Sequence, residues 1–557
     1  MSIIYLLYNI IYKMDYKIKT NWLYYDYQQW LYDDCLTNTS VNYLDIKTSY
    51  ISKLSFLVNN LINLQELYCC NNKLINLPTS IGNLVNLKIF DCSKNILTEI
   101  PETICDLINL QHLDCHNNNL KYLPKSINNL INLKHLYCYN NQLIKLPKLN
   151  LLNLSDLWCS NNKLVNLSEL NLINLLELDC SDNKIMFLPE LDKLINLQTL
   201  NCSNNQLIYL PESINNLINL YELLCSNNKL ICLPEFYNLT KLYYLSCNDN
   251  SLTALPESLC NLTNLYFLSC NYNKIIYLPE QIGNLTNLQQ LNCHNNQLIN
   301  LPESIGNLIN LYNLWCGYNK LTYLPESINN LTNLHDLWCS CNELKYLPES
   351  MSNLINLRQL NCCNNSLNKL PKLLGNLINL QKIHCSNNKL KKLPESISKL
   401  INLRFLSCNN NLLTYLPESI GNLINLCYLY CFDNLLIKLP NSIIKLKQLK
   451  YFSNRNNLIK FIPINIQRFL NQLEINKLNN DVHNINIQTS LLESMNNLVS
   501  NITTNKEYII RKIIENNILD DYTKNILFKF IDDKTINDNL LINFEELFMY
   551  VYEKMNL

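Results

Sequence analysis

Residues 288–310 read LQQLNCHNNQLINLPESIGNLIN, and residues 311–333 read LYNLWCGYNKLTYLPESINNLTN. With Leu288 as position 1, apolar side chains fall at Leu288, Leu291, Cys293, Leu298, Leu301, Ile305 and Leu308, while Asn296 holds position 9 and Pro302 position 15. Outward from this stretch, units in the same register begin at Leu64, Leu87, Leu110, Leu133, Leu154, Leu175, Leu197, Leu220, Leu242, Leu265, Leu288, Leu311, Leu334, Leu357, Leu380, Leu403, Leu426 and Leu449, mostly 23 residues apart. A worn unit precedes them at Val41, with Leu44, Ile46, Ile51, Leu54, Val58 and Leu61 in register but Ser49 where Asn is expected. A self-similar period of this length is the mark of a stacked-repeat architecture.

Within a unit, positions 4 and 6 are apolar and alternate with variable polar residues at 3, 5 and 7, the period of a short strand with one face buried. After position 9 the apolar spacing changes to threes and fours, which predicts a turn leading into an irregular or 3₁₀-like return. One unit cannot bury its own apolar side, whereas stacked units bury it against each other, with a parallel sheet on one face and turns on the other. Asn stands at position 9 of every unit from Asn72 to Asn457. Its amide both donates and accepts, so a column of them can satisfy backbone groups left open where each strand bends away. All 17 prolines sit at position 15, with Ser168 the one gap; a fixed φ and a missing N–H are tolerated in that turn. The spacings from Leu133 to Leu197 shorten to 21, 21 and 22 residues, which predicts deletion in the convex turn or, alternatively, a local change of curvature that shapes a binding site.

The pattern Leu-x-x-Leu-x-Cys-x-x-Asn-x-Leu-x-x-Leu-Pro-x-x-Ile-x-x-Leu resembles the leucine-rich repeat family in its 23-residue Leu-Pro class. The resemblance covers residues 41–470 and implies an α/β horseshoe solenoid: a parallel β-sheet on the concave face, irregular or 3₁₀ turns on the convex face, and a concave surface that binds other proteins. With its Asn, Ile and Tyr-rich composition, the chain is also similar to leucine-rich repeat proteins of giant amoeba-infecting DNA viruses or their amoebal hosts. At about 4.8 Å per strand, nineteen units give an arc of roughly 90 Å, ample for the ~800 Å² per partner of an ordinary protein interface.

Composition narrows the function further. The 557 residues carry 45 Lys and Arg against 45 Asp and Glu, a balance that disfavours a general nucleic-acid or anionic-membrane binder. The six glycines are too widely spaced for a phosphate-cradling loop or a dinucleotide fingerprint. Seventeen of the 25 cysteines occupy position 6, where Cys serves as a small buried hydrophobe. Side chains in line on parallel strands hold their Cβ atoms near ~4.8 Å, outside the ~3.5–4.5 Å of a disulfide, so a bridged ladder is not expected. Many reduced thiols imply a reducing compartment, hence a cytoplasmic protein, in the host cytoplasm if the chain is viral. No apolar run is long enough to span a bilayer. No catalytic, metal or cofactor set is expected; His112 and His135 with Asp114 are the nearest approach to a metal site, on an open face without supporting groups. No Cys follows Cys431, so the tail cannot carry a cysteine-dependent ligase.

The ends differ from the middle. Residues 1–40 are aromatic-rich and out of register, which predicts a cap for the exposed end of the apolar stack. Residues 471–489 read as an Asn-rich linker, and 490–557 as a small α-helical region, from the capping-box pairs Ser490 with Glu493, Thr504 with Glu507 and Asn543 with Glu546.

Position 5 is the outward centre of each strand, and Trp158, Trp315 and Trp338 stand there, three of the chain's five tryptophans. Outward aromatics are costly for solubility and favoured at interfaces. The expected protein-binding residues are Tyr312, Trp315, His335, Asp336, Trp338 and Arg358 in one cluster, joined by Tyr318, with Tyr137 and Trp158 in another. Over positions 2, 3, 5, 7 and 8, the repeats through the one starting at Leu242 hold nine acids and three bases, and the later ones two acids and five bases. The expected function is a non-catalytic scaffold that binds one or more partner proteins. The alternative is a recognition or regulatory subunit that recruits a ubiquitin ligase, phosphatase or GTPase through its non-repeat ends.

Overall fold

The computed structural model describes residues 21–33 and 38–473. The chain divides into two units, Met1–Phe469 and Leu470–Leu557. The expected helical region 490–557 lies outside the described residues. So does the expected linker except for 471–473, which are the end of a helix over 464–473.

Each repeat contributes one three-residue strand at its positions 3 to 5, such as Asn313–Trp315 and Asp336–Trp338. Twenty strands, from Asn21–Leu23 to Tyr451–Ser453, form one sheet in which each is parallel to its neighbours in sequence. Because every unit enters the sheet in the same register, like positions stand side by side: Leu314 pairs with Leu337 and Trp315 with Trp338. Position 4 points into the stack with the Cys of position 6, and both columns are fully buried in the repeat at Leu288 (Leu291, Cys293).

The seventeen column cysteines are all buried and all free, as the spacing predicts. Burial pushes their thiols up, to about 12 at Cys316 and Cys408, which keeps them protonated and unreactive. Several donate a weak S–H bond to the next strand, as Cys92 Sγ does to the Asp114 carbonyl at 3.4 Å.

The asparagine column does what its two-sided amide allows. Asn118 Oδ1 accepts the Leu97 N–H at 2.9 Å, and its Nδ2 lies 3.1 Å from both the Cys92 and the Cys115 carbonyls. One side chain thereby closes the bend of its own repeat and fastens it to the one before. Position 8, just ahead of it, turns the chain in the left-handed conformation in all eighteen repeats, with φ between 49° and 55°. Asn and Asp fill most of these sites because they tolerate that region best; Lys94, Tyr272, Tyr318 and Cys341 are the exceptions. Asn at position 23 makes a second ladder that the sequence did not announce: Asn310 Nδ2 donates to the Thr286 carbonyl at 2.9 Å, and Asn333 to that of Ile309.

Proline begins the return. Pro302, at φ −68°, precedes the 3₁₀ helix Glu303–Asn307 and accepts the Ile305 N–H at 3.0 Å. No 3₁₀ helix lies between Ile127–Asn129 and Glu212–Asn216, the span of the short repeats. The missing residues therefore come out of the turn, where an isolated bridge joins Leu149 and Leu170. The 22-residue unit at Leu220 lacks its 3₁₀ helix in the same way.

At the N-terminal end the sheet starts before Val41. Asn21–Leu23 pairs with Tyr43–Asp45 of the worn repeat, and the helix Tyr24–Tyr32 follows it. Trp22 is fully buried, Trp30 is 2% exposed, and their rings lie 5.8 Å apart.

Candidate functional site

The outer surface of the sheet is built from positions 3, 5 and 7 of successive repeats. The expected residues divide into two patches seven strands apart, about 34 Å at the usual strand spacing, so Tyr137 and Trp158 are not brought together with the later cluster.

In the larger patch, Trp315 and Trp338 are tilted neighbours with ring centroids 5.7 Å apart. Trp338 is 42% exposed, high for a tryptophan on a packed sheet. On the preceding strand, the Trp315 indole N–H is buried and has no hydrogen-bond partner among the described residues. Such an orphaned donor costs about 1–3 kcal/mol. At position 2, Tyr312 and His335 stack face to face at 3.9 Å. Burial raises the Asp336 carboxyl above the ordinary range, with His335, Lys382 and Arg358 pulling it back. Arg358 therefore acts in this patch through its charge; its guanidinium is exposed. Tyr318, 57% exposed, holds its left-handed backbone at φ 52° beside Gly317.

The smaller patch is more tightly tied. Tyr137 and Trp158 stack at 4.5 Å, and the Trp158 indole donates to Glu177 Oε2 at 3.3 Å. His135 Nδ1 is bonded to Asp156, which also accepts from Tyr137. His116 Nδ1 meets Asp114 Oδ1 at 2.6 Å. His112 and His135 lie 5.4 Å apart as rings, but each carboxylate is already engaged by a different imidazole. Among the described residues no group of three or more His, Cys, Asp or Glu could hold a metal ion.

Two features of this face escaped the sequence reading. Position 5 is outward but not uniformly exposed: Ser246, Ser269, Asn292 and Ser407 are buried. Their short side chains bend toward position 7, as Ser269 Oγ does to Asn271 Oδ1 and Ser407 Oγ to Asn409 Oδ1, each at 2.7 Å. Beside the first two, Tyr244 and Phe267 stack at 4.1 Å. Position 2 then carries a ladder of stacked rings, Tyr221 on Tyr243 at 4.9 Å and Tyr243 on Tyr266 at 4.7 Å. The recurrence of Tyr at position 2 in three successive units, with Tyr244 and Phe267 at position 3 of the last two, was the available signal.

Charge on the strands is one-sided. Positions 3 and 5 from Glu66 to Glu222 hold seven carboxylates and no Lys or Arg, with Asp91 directly beside Asp114 and Asp156 beside Glu177. Like charges facing each other across strands are unfavourable. Desolvation raises the Glu222 carboxyl, and Glu177 adds to the rise. Among the described residues, no helix is long and apolar enough to cross a membrane.

Residues 254–362 match the family model of the leucine-rich repeat region, and 109–130, 196–217 and 379–400 match that of the Leucine Rich Repeat. No curated protein sequence matches the chain significantly. Among solved structures, a leucine-rich repeat protein of Leptospira interrogans is similar at 29% identity, over 81% of this chain and 98% of its own, with a TM-score of 0.49. YopM of Yersinia enterocolitica is similar at 28% identity, over 72% of this chain and 89% of its own, with a TM-score of 0.52. The Arabidopsis receptor kinase HAESA, solved with the peptide hormone IDA and the co-receptor SERK1, is similar at 25% identity, over 71% of each chain, with a TM-score of 0.58. Repeat register, sheet topology, the matched family models and the likenesses to YopM and HAESA agree: the chain carries leucine-rich repeats and folds as a leucine-rich repeat solenoid.

Proposed function

We propose that this chain is a non-catalytic scaffold that binds partner protein on the outer face of its sheet, with Trp315 and Trp338 as the anchor. The observation that carries the reading is the Trp315–Trp338 pair itself: a tryptophan left 42% exposed over one whose indole N–H is buried without an acceptor. The exposed Trp338 ring and its tilted neighbour would supply the apolar contact that concentrates binding energy in a few residues. Tyr312, His335, Asp336 and Arg358 surround the anchor with polar and charged groups, while Tyr137 and Trp158 offer a second contact among carboxylates. The solved HAESA complex, in which a related fold holds a peptide hormone and a co-receptor, supports the same use of this architecture.

The unequal charge along the strands orients the partner. Its basic portion lies over the repeats from Leu64 to Leu220 and its acidic portion over the later ones, near Lys382 and Arg358. The buried, free cysteines fit a protein that works in a reducing cytoplasm, whether amoebal or that of a virus-infected host. Affinity capture from such cells with the full chain, compared with a Trp315→Ala/Trp338→Ala variant of unchanged circular dichroism, tests the site. Loss of a partner by at least about 30-fold, or ~2 kcal/mol, is expected; equal capture by both proteins rules the anchor out.

A further inference from the structure

Outside the buried column, two thiols stand next to each other. Cys341 occupies position 8 of its repeat, with the left-handed φ of 53° that most repeats assign to Asn. Cys363 is position 7 of the following repeat, and the Cys341 amide donates to the Cys363 carbonyl at 2.9 Å. Both are partly exposed, while the column thiols beside them, Cys339 and Cys362, are fully buried.

The objection to a disulfide ladder does not reach this pair. Column cysteines lie in line at one position of parallel, paired units, whereas Cys341 and Cys363 lie beyond the strand segments Asp336–Trp338 and Gln359–Asn361 and at different positions. The left-handed backbone turns the Cys341 Cβ out of the strand's alternation. Its sulfur faces the repeat that carries Cys363, since Asn364 Nδ2 lies 3.3 Å from Cys341 Sγ. Cys363 Sγ lies 3.0 Å from Ser386 Oγ, a contact it leaves by rotating about χ1 to meet Cys341. Burial raises the Cys363 thiol, the Ser386 hydroxyl and backbone pull it back, and a charge on Cys341 raises it again, so the two sulfurs are close enough to sense each other. A cysteine in this conformation is also disfavoured relative to the right-handed one, a cost that most other repeats reduce with Asn.

We propose that Cys341 and Cys363 form a dithiol site that closes to an intramolecular disulfide by exchange with a low-molecular-weight disulfide. One thiol gives up its proton and its thiolate attacks the small disulfide, forming a mixed disulfide and releasing one small thiolate. The second protein thiolate, its proton also lost, attacks the protein-side sulfur of that mixed disulfide and releases the other small thiolate. One S–S bond is broken and one is made; the protein loses two electrons, the small disulfide gains them, and the two protons end on the two small thiols. The bridge would tie the repeat that carries Trp338 to the next one, at the margin of the aromatic patch.

The test uses the full chain incubated with oxidised glutathione, then alkylated, digested without reductant and analysed by peptide mass. The expected product is one peptide pair joined through Cys341 and Cys363, two hydrogens lighter, free of glutathione and restored by dithiothreitol. Cys232, free and exposed, serves as reference and should keep a single glutathione. Cys341→Ser should abolish the joined peptides and leave Cys363 either unreacted or carrying glutathione. The proposal is overturned if, in the wild-type chain, Cys341 and Cys363 each retain their own glutathione, or if neither reacts under conditions that modify Cys232.

Discussion

Asn95 Oδ1 accepts the Leu74 N–H at 2.9 Å across the boundary between two repeats, while its Nδ2 donates to the carbonyls of Cys69, Cys92 and Ser93 at 3.0 to 3.1 Å. One buried amide thus reaches four backbone groups: among the described residues the Leu74 N–H has no other acceptor, while the Cys69 and Cys92 carbonyls also accept from Asn72 and Asn118 and the Ser93 carbonyl from the Asn71 N–H. Asn95→Ala should lower stability by about 1–3 kcal/mol, since the buried Leu74 N–H loses its acceptor. Asn95→Asp should be no better, because a carboxylate keeps the acceptor but loses both donors. Asn457→Ala, in the last repeat where the same bonds are only part-buried and water can replace them, should cost nearer 1 kcal/mol. The urea midpoints of the three variants, compared with the wild type, check the order.

Tyr318 carries a bulky side chain on a left-handed backbone, φ 52°, where Asn is the usual occupant. Tyr318→Asn should stabilise the fold by about 1 kcal/mol and at the same time weaken partner binding, because the ring lies beside the Trp315 patch. Tyr272→Asn, at φ 51° but outside that patch, should stabilise the fold equally and leave binding alone. Parallel urea and binding titrations separate the two effects.

The like-charged neighbours on the strands govern approach rather than folding. Asp91→Asn with Asp179→Asn keeps the acceptors that hold the Ser93 and Ser181 amides, each at 3.0 Å. The double variant should therefore remain at least as stable as the wild type. Its association with the partner should slow several-fold in low salt and converge with the wild type above about 0.5 M, with little change in dissociation. Stopped-flow or surface-based kinetics at two ionic strengths would show it.

His384 faces the sheet's outer side, yet burial depresses its pKa to about 4, with Lys382 adding to the fall. The unfolded chain takes up the proton near pH 6.5 and the folded one does not until about 4. The His384 contribution is therefore complete above pH 6.5 and is lost as pH drops from 6.5 toward 4, by at most about 3 kcal/mol. His384→Gln should flatten that part of the stability profile; His112 and His294, shifted the same way by burial, should leave a smaller residual slope. Denaturation midpoints of both proteins at pH 7, 5.5 and 4.5 give the comparison.

The fold was legible because every position is repeated. The asparagine of position 9 and the cysteine of position 6 each appear so often that chance and local context average out, and their burial follows from period alone. The partner-facing surface has no such redundancy. Tyr318 at a left-handed site and the orphaned Trp315 indole are single events, and nothing in their letters distinguishes them from their neighbours. The burial of Ser246 and Ser269 depends on side chains two positions away and on the next strand, contacts that a column-by-column reading does not weigh. The turn deletions were placed correctly from spacing, but the ladder at position 23 was hidden because Asn is common everywhere in this chain.

The account rests on which side of each strand faces inward, and thiol accessibility reads that directly. Native-state alkylation with peptide mass readout should label Cys232 first, then Cys70, Cys341, Cys363 and Cys427, which are partly exposed, and should leave the seventeen column cysteines from Cys69 to Cys431 untouched until urea is added. Rapid labelling of column residues such as Cys293, Cys316 and Cys339 in the folded protein, at rates near that of Cys232, would contradict it.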